Sequence, residues 1–205
     1  MFWVGAADRM TVVIGLTGSI GMGKTTASDM LRRQGLPICD SDSLVHKMLA
    51  KGGAAVPFVG DVFDGVVSGG AVDRAALGKQ VFGNAEALKQ LEQIMHPLVR
   101  AAQKKFIKVC RGRRLFAVVL DVPLLFEVET DKLCDMTLVV SAPKFIQEQR
   151  VLARPGMTRE RLEATVQRQM PDFEKRQRAD IIVQTGLNKR HTSDQLTKIV
   201  GWLRD

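Results

Sequence analysis

The stretch Gly18-Ser19-Ile20-Gly21-Met22-Gly23-Lys24-Thr25-Thr26 constrains the fold more than any other part of the chain. The apolar run Val12-Val13-Ile14-Gly15-Leu16 precedes it, and the helical pattern Ala27-Ser28-Asp29-Met30-Leu31 follows. Strand, then Gly-x-x-x-x-Gly-Lys-Thr, then helix is the context a phosphate-binding loop requires. Gly18, Gly21 and Gly23 let the backbone curl so that successive N–H groups face one anion. The helix start adds free N–H groups and the positive end of its dipole. Lys24 reaches toward β- and γ-phosphates, and the Thr25 hydroxyl toward Mg²⁺. Met22 and Thr26 enter this site through their main chain, so the identity of the Met22 side chain is of little account. Such a chain binds a nucleoside triphosphate.

A length of 205 residues suits one α/β domain with a small insertion. Thr11–Leu16 is mostly apolar rather than alternating, as in a central parallel strand covered on both faces. Four more strands are expected at Leu36–Cys39, Leu115–Val122, Met136–Val140 and Ala179–Val183. The expected fold is therefore an α/β P-loop NTPase sandwich with a five-stranded parallel sheet. Residues 43–112 read as helices with short breaks, too long for a simple crossover, and form a helical insertion. Within it Asp73 caps Arg74–Phe82, Asn84 caps Ala85–Met95, and His96-Pro97 starts a new long helix. Residues 145–175 read as a lid, with a break at Pro155-Gly156 and a helix Arg159–Met170 capped by Thr158. Residues 10–205 are taken as one domain, with Met10 the working start and residues 1–9 an extension.

The net charge of +8 implies polyanionic company, which includes nucleotides, phosphorylated small molecules and nucleic acid. No Tyr and two Trp leave little for single-strand stacking platforms. A base-reading Asn-Lys-x-Asp sequence, which a switch GTPase needs, is absent. Cys39, Cys110 and Cys134 are too scattered for a disulfide framework or a zinc site, in keeping with a reducing cytoplasm. The start is too short for a signal peptide, and no apolar run approaches membrane-spanning length.

A kinase needs a triphosphate cradle, a metal, cations on the moving phosphoryl group and a group that orients the acceptor hydroxyl. Asp40-Ser41-Asp42 follows the second strand, at the carboxyl end where open α/β sheets bind ligands. Asp42 suits the proton-accepting role, and either aspartate suits N-capping the next helix. Asp121 ends an apolar strand in the position of a Walker-B acid near Mg²⁺, or serves as a turn or cap residue. Arg150 and Arg154, four apart, are expected on one helix face, either closing over phosphates or simply solvated. His96 touches substrate or caps a helix.

Gly15–Thr26, Asp40-Ser41-Asp42, His96-Pro97-Leu98-Val99, Val122-Pro123-Leu124-Leu125-Phe126-Glu127 and Ala179-Asp180-Ile181-Ile182 occur in one order over nearly the whole chain. That combination resembles the dephospho-CoA kinase family. The resemblance implies transfer of ATP's γ-phosphoryl group to the ribose 3′-hydroxyl of dephospho-CoA, the last step of coenzyme A synthesis. It implies catalytic roles for Asp42 as base and for Lys24, Arg150 and Arg154. Gly18, Gly21, Met22, Gly23, Lys24, Thr25 and Thr26 would hold ATP, and Thr25 and Asp121 would hold Mg²⁺. Asp42, His96 and Leu124 would meet dephospho-CoA. The implied partners are these small molecules, without nucleic acid or membrane, for a cytoplasmic monomer. Two departures are visible: Gln184-Thr185-Gly186 stands where the family has a short Asn-x-Gly turn, and Pro155-Gly156 follows Arg154 where an acid is common. The first shifts recognition of the base onto backbone groups; the second alters the lid hinge. The rival readings are another small-molecule P-loop kinase, differing in what residues 43–112 bind, and a nucleic-acid-dependent ATPase.

Overall fold

A computed structural model describes residues 11–204; the extension expected for residues 1–9 and the start at Met10 lie outside the described residues. In chain order the first elements are β1 (Val12–Thr17), α1 (Lys24–Arg33), β2 (Ile38–Asp40), α2 (Ser41–Leu49) and α3 (Val56–Val62). Next come β3 (Val67–Ser68), β4 (Ala71–Val72), α4 (Arg74–Val81), α5 (Ala85–Gly112) and β5 (Ala117–Asp121). After a 3₁₀ turn at Thr130–Leu133 follow β6 (Met136–Ser141), α6 (Lys144–Leu152) and α7 (Arg159–Gln167). The last are α8 (Asp172–Arg178), β7 (Ile181–Gln184) and α9 (Lys189–Arg204). Two compact units result, one of the residues through Cys39 together with those from Ile107 on, the other Asp40–Phe106.

In the first unit a five-stranded parallel sheet runs in the order β2-β5-β1-β6-β7. Every residue of β5 is buried, as is all of β1 after Val12, which is why these strands carry unbroken apolar runs. Ile14, Leu16, Leu138 and Val140 share one core with Leu31 of α1 and Leu196 and Val200 of α9. The register sets Leu16 beside Asp121 and Thr17 beside Val139, so β1 and β5 finish level. Ligands in open sheets bind beyond such ends. β2 begins later than expected because Pro37 has no N–H to donate; its carbonyl accepts from Val119 N at 2.9 Å instead.

Two expectations for the first unit need correction. α6 stops at Leu152, so Arg154 sits in the following bend and shares no helix face with Arg150. α7 stops at Gln167 rather than Met170, and α8 was not anticipated. Its sequence, DFEKRQR, has no apolar stripe to betray it, and its buried residue is a lysine.

The second unit has its own core, with Leu49, Val59, Phe63, Leu77 and Met95 at its centre. Asp73 caps α4 by accepting from Ala75 N at 2.8 Å and Ala76 N at 3.1 Å. Asn84 caps α5 through Ala87 N at 3.1 Å. The all-helical reading missed the antiparallel β3–β4 hairpin. Gly69 and Gly70 form its two-residue turn with φ of 58° and 79°, the double positive φ that matches strand twist. No new helix starts at His96-Pro97 either: α5 runs 28 residues straight through Pro97. An interior proline costs about 3 kcal/mol. Packing of Leu91, Ile94, Met95, Leu98 and Val99 against the core offsets it. His96 is therefore an exposed mid-helix residue, not a cap.

Candidate active site

The loop between β1 and α1 is shaped by its glycines. A Cβ on Gly18 would lie 2.5 Å from Val140 Cγ2, and Gly23 has φ of 89°, where side chains are strained. Gly23 is the N-cap of α1 without any side-chain cap, and the first turn holds no acid. The N–H groups there have no intrahelical acceptor and suit a ligand anion.

The carbonyls of this loop are turned away and held. Ile20 O accepts from Gln147 Nε2 at 2.8 Å, Gly21 O from Arg150 Nη1 at 3.4 Å, and Met22 O from Thr185 Oγ1 at 2.7 Å. Ile20 N donates to Gln169 Oε1 at 3.0 Å. Met22 is more than backbone, contrary to the sequence reading. Its side chain is buried in the sheet core, and its Sδ accepts from Ala142 N at 3.2 Å. An unbranched thioether reaches this gap where a local pattern gives no hint of it.

Lys24 Nζ meets Asp121 Oδ1 at 2.5 Å, the side chains being 16% and 5% exposed. The P-loop cation and the acid at the end of β5 are thus brought together by the level ends of adjacent strands. Thr25 and Thr26 occupy the first turn of α1, Thr25 exposed.

The choice left open between Asp40 and Asp42 is resolved by local hydrogen bonds in the second unit. Asp40 is the N-cap of α2, its Oδ1 accepting from Asp42 N at 2.9 Å and its Oδ2 from Ser43 Oγ at 2.9 Å. The Asp42 carboxylate is exposed and not part of the cap. Gln103, buried in α5, donates to Ser41 Oγ at 3.0 Å and anchors this helix start.

Residues 12–190 match the CoaE dephospho-CoA kinase family. The chain belongs to the dephospho-CoA kinase family. It is 59% identical over 164 residues to dephospho-CoA kinase of Paramagnetospirillum magneticum, covering 80% of this chain and 77% of that one. Against the Mesorhizobium japonicum dephospho-CoA kinase the identity is 47% over 193 residues, covering 94% and 97%. A solved dephospho-CoA kinase from Campylobacter jejuni superimposes with a TM-score of 0.72 at 25% identity, covering 94% and 96%. The chain is accordingly a transferase that phosphorylates dephospho-CoA in the final step of coenzyme A synthesis, with ATP as co-substrate. Among the described residues no helix is long and apolar enough to cross a membrane.

Two motifs of this kinase family prove structural here. Asp180 Oδ2 accepts from both Thr137 N and Thr137 Oγ1 at 2.7 Å, tying β7's start to β6. Glu127, at the end of Pro123-Leu124-Leu125-Phe126-Glu127, holds a lysine that the sequence reading missed. Lys175 is 0% exposed; its Nζ pairs with Glu127 Oε1 at 2.9 Å and donates to Pro123 O at 3.1 Å. Pro123 O also accepts from Thr17 Oγ1 at 3.0 Å, and Glu127 Oε1 from Met170 N at 2.8 Å. One buried cation thus ties β1's end, the half-buried Leu124 loop and the approach to α8. Leaving a buried partner uncompensated costs about 3–5 kcal/mol. Lys175→Met is therefore expected to lower the unfolding free energy by about 3 kcal/mol in urea titration, and adding Glu127→Leu to recover part of it.

Arg150 is half-buried, its Nη2 donating to Thr185 O at 2.7 Å, whereas Arg154 is exposed. Burial, then Asp131 and Asp135, push the Cys134 thiol up to about 12, away from the thiolate form.

Proposed function

We propose that the chain transfers the γ-phosphoryl group of ATP to the ribose 3′-hydroxyl of dephospho-CoA, with the Gly18–Thr26 loop as donor site and Asp42 as base. The observation that carries the reading is the Lys24–Asp121 pair beside an uncapped helix start. That is a cation and a carboxylate poised where triphosphate oxygens would arrive. On binding, Lys24 exchanges Asp121 for phosphate oxygens, and the loop N–H groups of Gly21, Gly23, Lys24 and Thr25 share the remaining charge.

The oxygens of the Thr25 hydroxyl and the Asp121 carboxylate are hard donors, as Mg²⁺ prefers. Among the described residues no group of three or more His, Cys, Asp or Glu could hold a metal alone. This fits a magnesium ion bound by one carboxylate, a hydroxyl and the substrate's phosphates. When bound it supplies charge neutralisation on the phosphates.

A ribose hydroxyl is a poor nucleophile, so its proton must be drawn off as the phosphoryl group departs. Because Asp40 satisfies the helix start, the Asp42 carboxylate is left for that proton. In this reading His96 and Leu124 meet the acceptor, and residues 43–112 form its binding insertion. Residues 145–175 are the lid, with Arg150 and the exposed Arg154 supplying positive charge to the phosphates. Lid closure keeps water from taking the phosphoryl group. A cytoplasmic monomer completes the proposal.

The test is mass detection of coenzyme A formed from dephospho-CoA, ATP and Mg²⁺, with nucleoside monophosphates offered as rival acceptors. Preferential phosphorylation of a nucleoside monophosphate would sink the acceptor assignment. Turnover without Mg²⁺ would sink the metal.

A further inference from the structure

We propose that Thr185 and Gln147 are positioning residues for the phosphates of ATP, acting through the carbonyls of the P-loop. A peptide unit is planar and trans, so its C=O and the following N–H point in opposite directions. Whatever grips the carbonyl from behind therefore aims the next N–H forward. Thr185 Oγ1 grips Met22 O at 2.7 Å, which aims the N–H of Gly23. Gln147 Nε2 grips Ile20 O at 2.8 Å, which aims the N–H of Gly21.

Both gripping side chains are more than nine-tenths buried, Thr185 at 5% and Gln147 at 7% exposure. Both are also anchored. Thr185 N donates to Ser141 O at 2.9 Å, and its carbonyl accepts from Arg150 Nη2 at 2.7 Å. Gln147 stands on α6, which begins just after β6. Gly21 and Gly23, with φ of 78° and 89°, have the backbone freedom to let the Ile20–Gly21 and Met22–Gly23 peptides flip once released. A flipped peptide would present a carbonyl oxygen to a phosphate and turn attraction into repulsion. Thr185 stands within the Gln184-Thr185-Gly186 turn, where the family motif carries Asn. In this chain that turn reaches the P-loop itself.

The inference rests on Gly18–Thr26 being the site of ATP's phosphates, and Lys24→Ala tests that separately through the loss of ATP affinity. With that loss established, Thr185→Val keeps the shape and removes the donor. It is expected to raise the Kd for ATP about tenfold in titration calorimetry. The KM for dephospho-CoA should stay within about twofold, and Thr185→Ser should return ATP affinity to within about twofold of wild type. Gln147→Met, at an independent carbonyl, should show the same one-sided loss toward ATP. Wild-type ATP affinity in T185V, equal losses toward both substrates, or a T185S as weak as T185V would overturn the proposal. If T185V does not fold, a folded Q147M with wild-type ATP affinity overturns it, and one weakened about tenfold upholds it.

Discussion

Asp42→Asn is expected to lower kcat by about 10³-fold while leaving ATP affinity within about twofold. Asparagine has the size of aspartate and none of its basicity, so the change isolates proton acceptance. The fold should tolerate it, because Asp40 and not Asp42 accepts the N–H groups at the start of α2. The substituted side chain is exposed, and such changes shift stability by about 0.5 kcal/mol or less. The measurement is a coupled ADP-release assay alongside ATP titration and a melting curve. An asparagine variant with near wild-type turnover would remove Asp42 from the chemistry. Asp40→Ala offers the contrast: it removes the acceptor that caps α2, so its effect of about 1 kcal/mol should appear in the melting midpoint.

Lys24→Ala is expected to cost about 10³-fold in kcat/KM, the scale on which one preorganised charge acts in a transition state. The neighbouring carboxylate complicates this value. With Lys24 gone, the Asp121 carboxylate, 5% exposed, loses its lysine and faces the incoming phosphates. The single variant therefore reports lost attraction and new repulsion together. Lys24→Ala combined with Asp121→Asn separates them: the double variant should regain the melting midpoint and part of the ATP affinity, but not the turnover. Turnover of the wild-type order in Lys24→Ala would refute the P-loop as the donor site. Full recovery in the double variant would make the lysine only a partner for the acid.

The P-loop was legible because its signal is local: glycine, lysine and threonine at fixed offsets between a strand and a helix need no distant partner to be meaningful. The strands were legible for a related reason, since burial on both faces demands unbroken apolar runs. The helical caps at Asp73 and Asn84 followed from the short reach of their side chains. Errors gathered where distant residues decide. Pro97 looks like a helix start until the apolar face around it is seen to pack on a core. Gly69-Gly70 looks like a break between helices until two short flanking pairs of residues meet. Arg154 looks like the helical neighbour of Arg150 until α6 ends two residues before it.

By itself, then, the order of residues determined a nucleotide-binding α/β chain, its phosphate loop, its short list of candidate acids and its family likeness. Each of these depends on spacing along the backbone, which the chain carries with it. Tertiary structure alone decided that Asp121 neutralises Lys24, that Lys175 lies buried on Glu127 and Pro123, and that Thr185 holds Met22. These pairs lie far apart in sequence and are joined through strand order and burial. A buried charge or carbonyl must find a partner wherever the fold puts one, and no local pattern reveals which it will be.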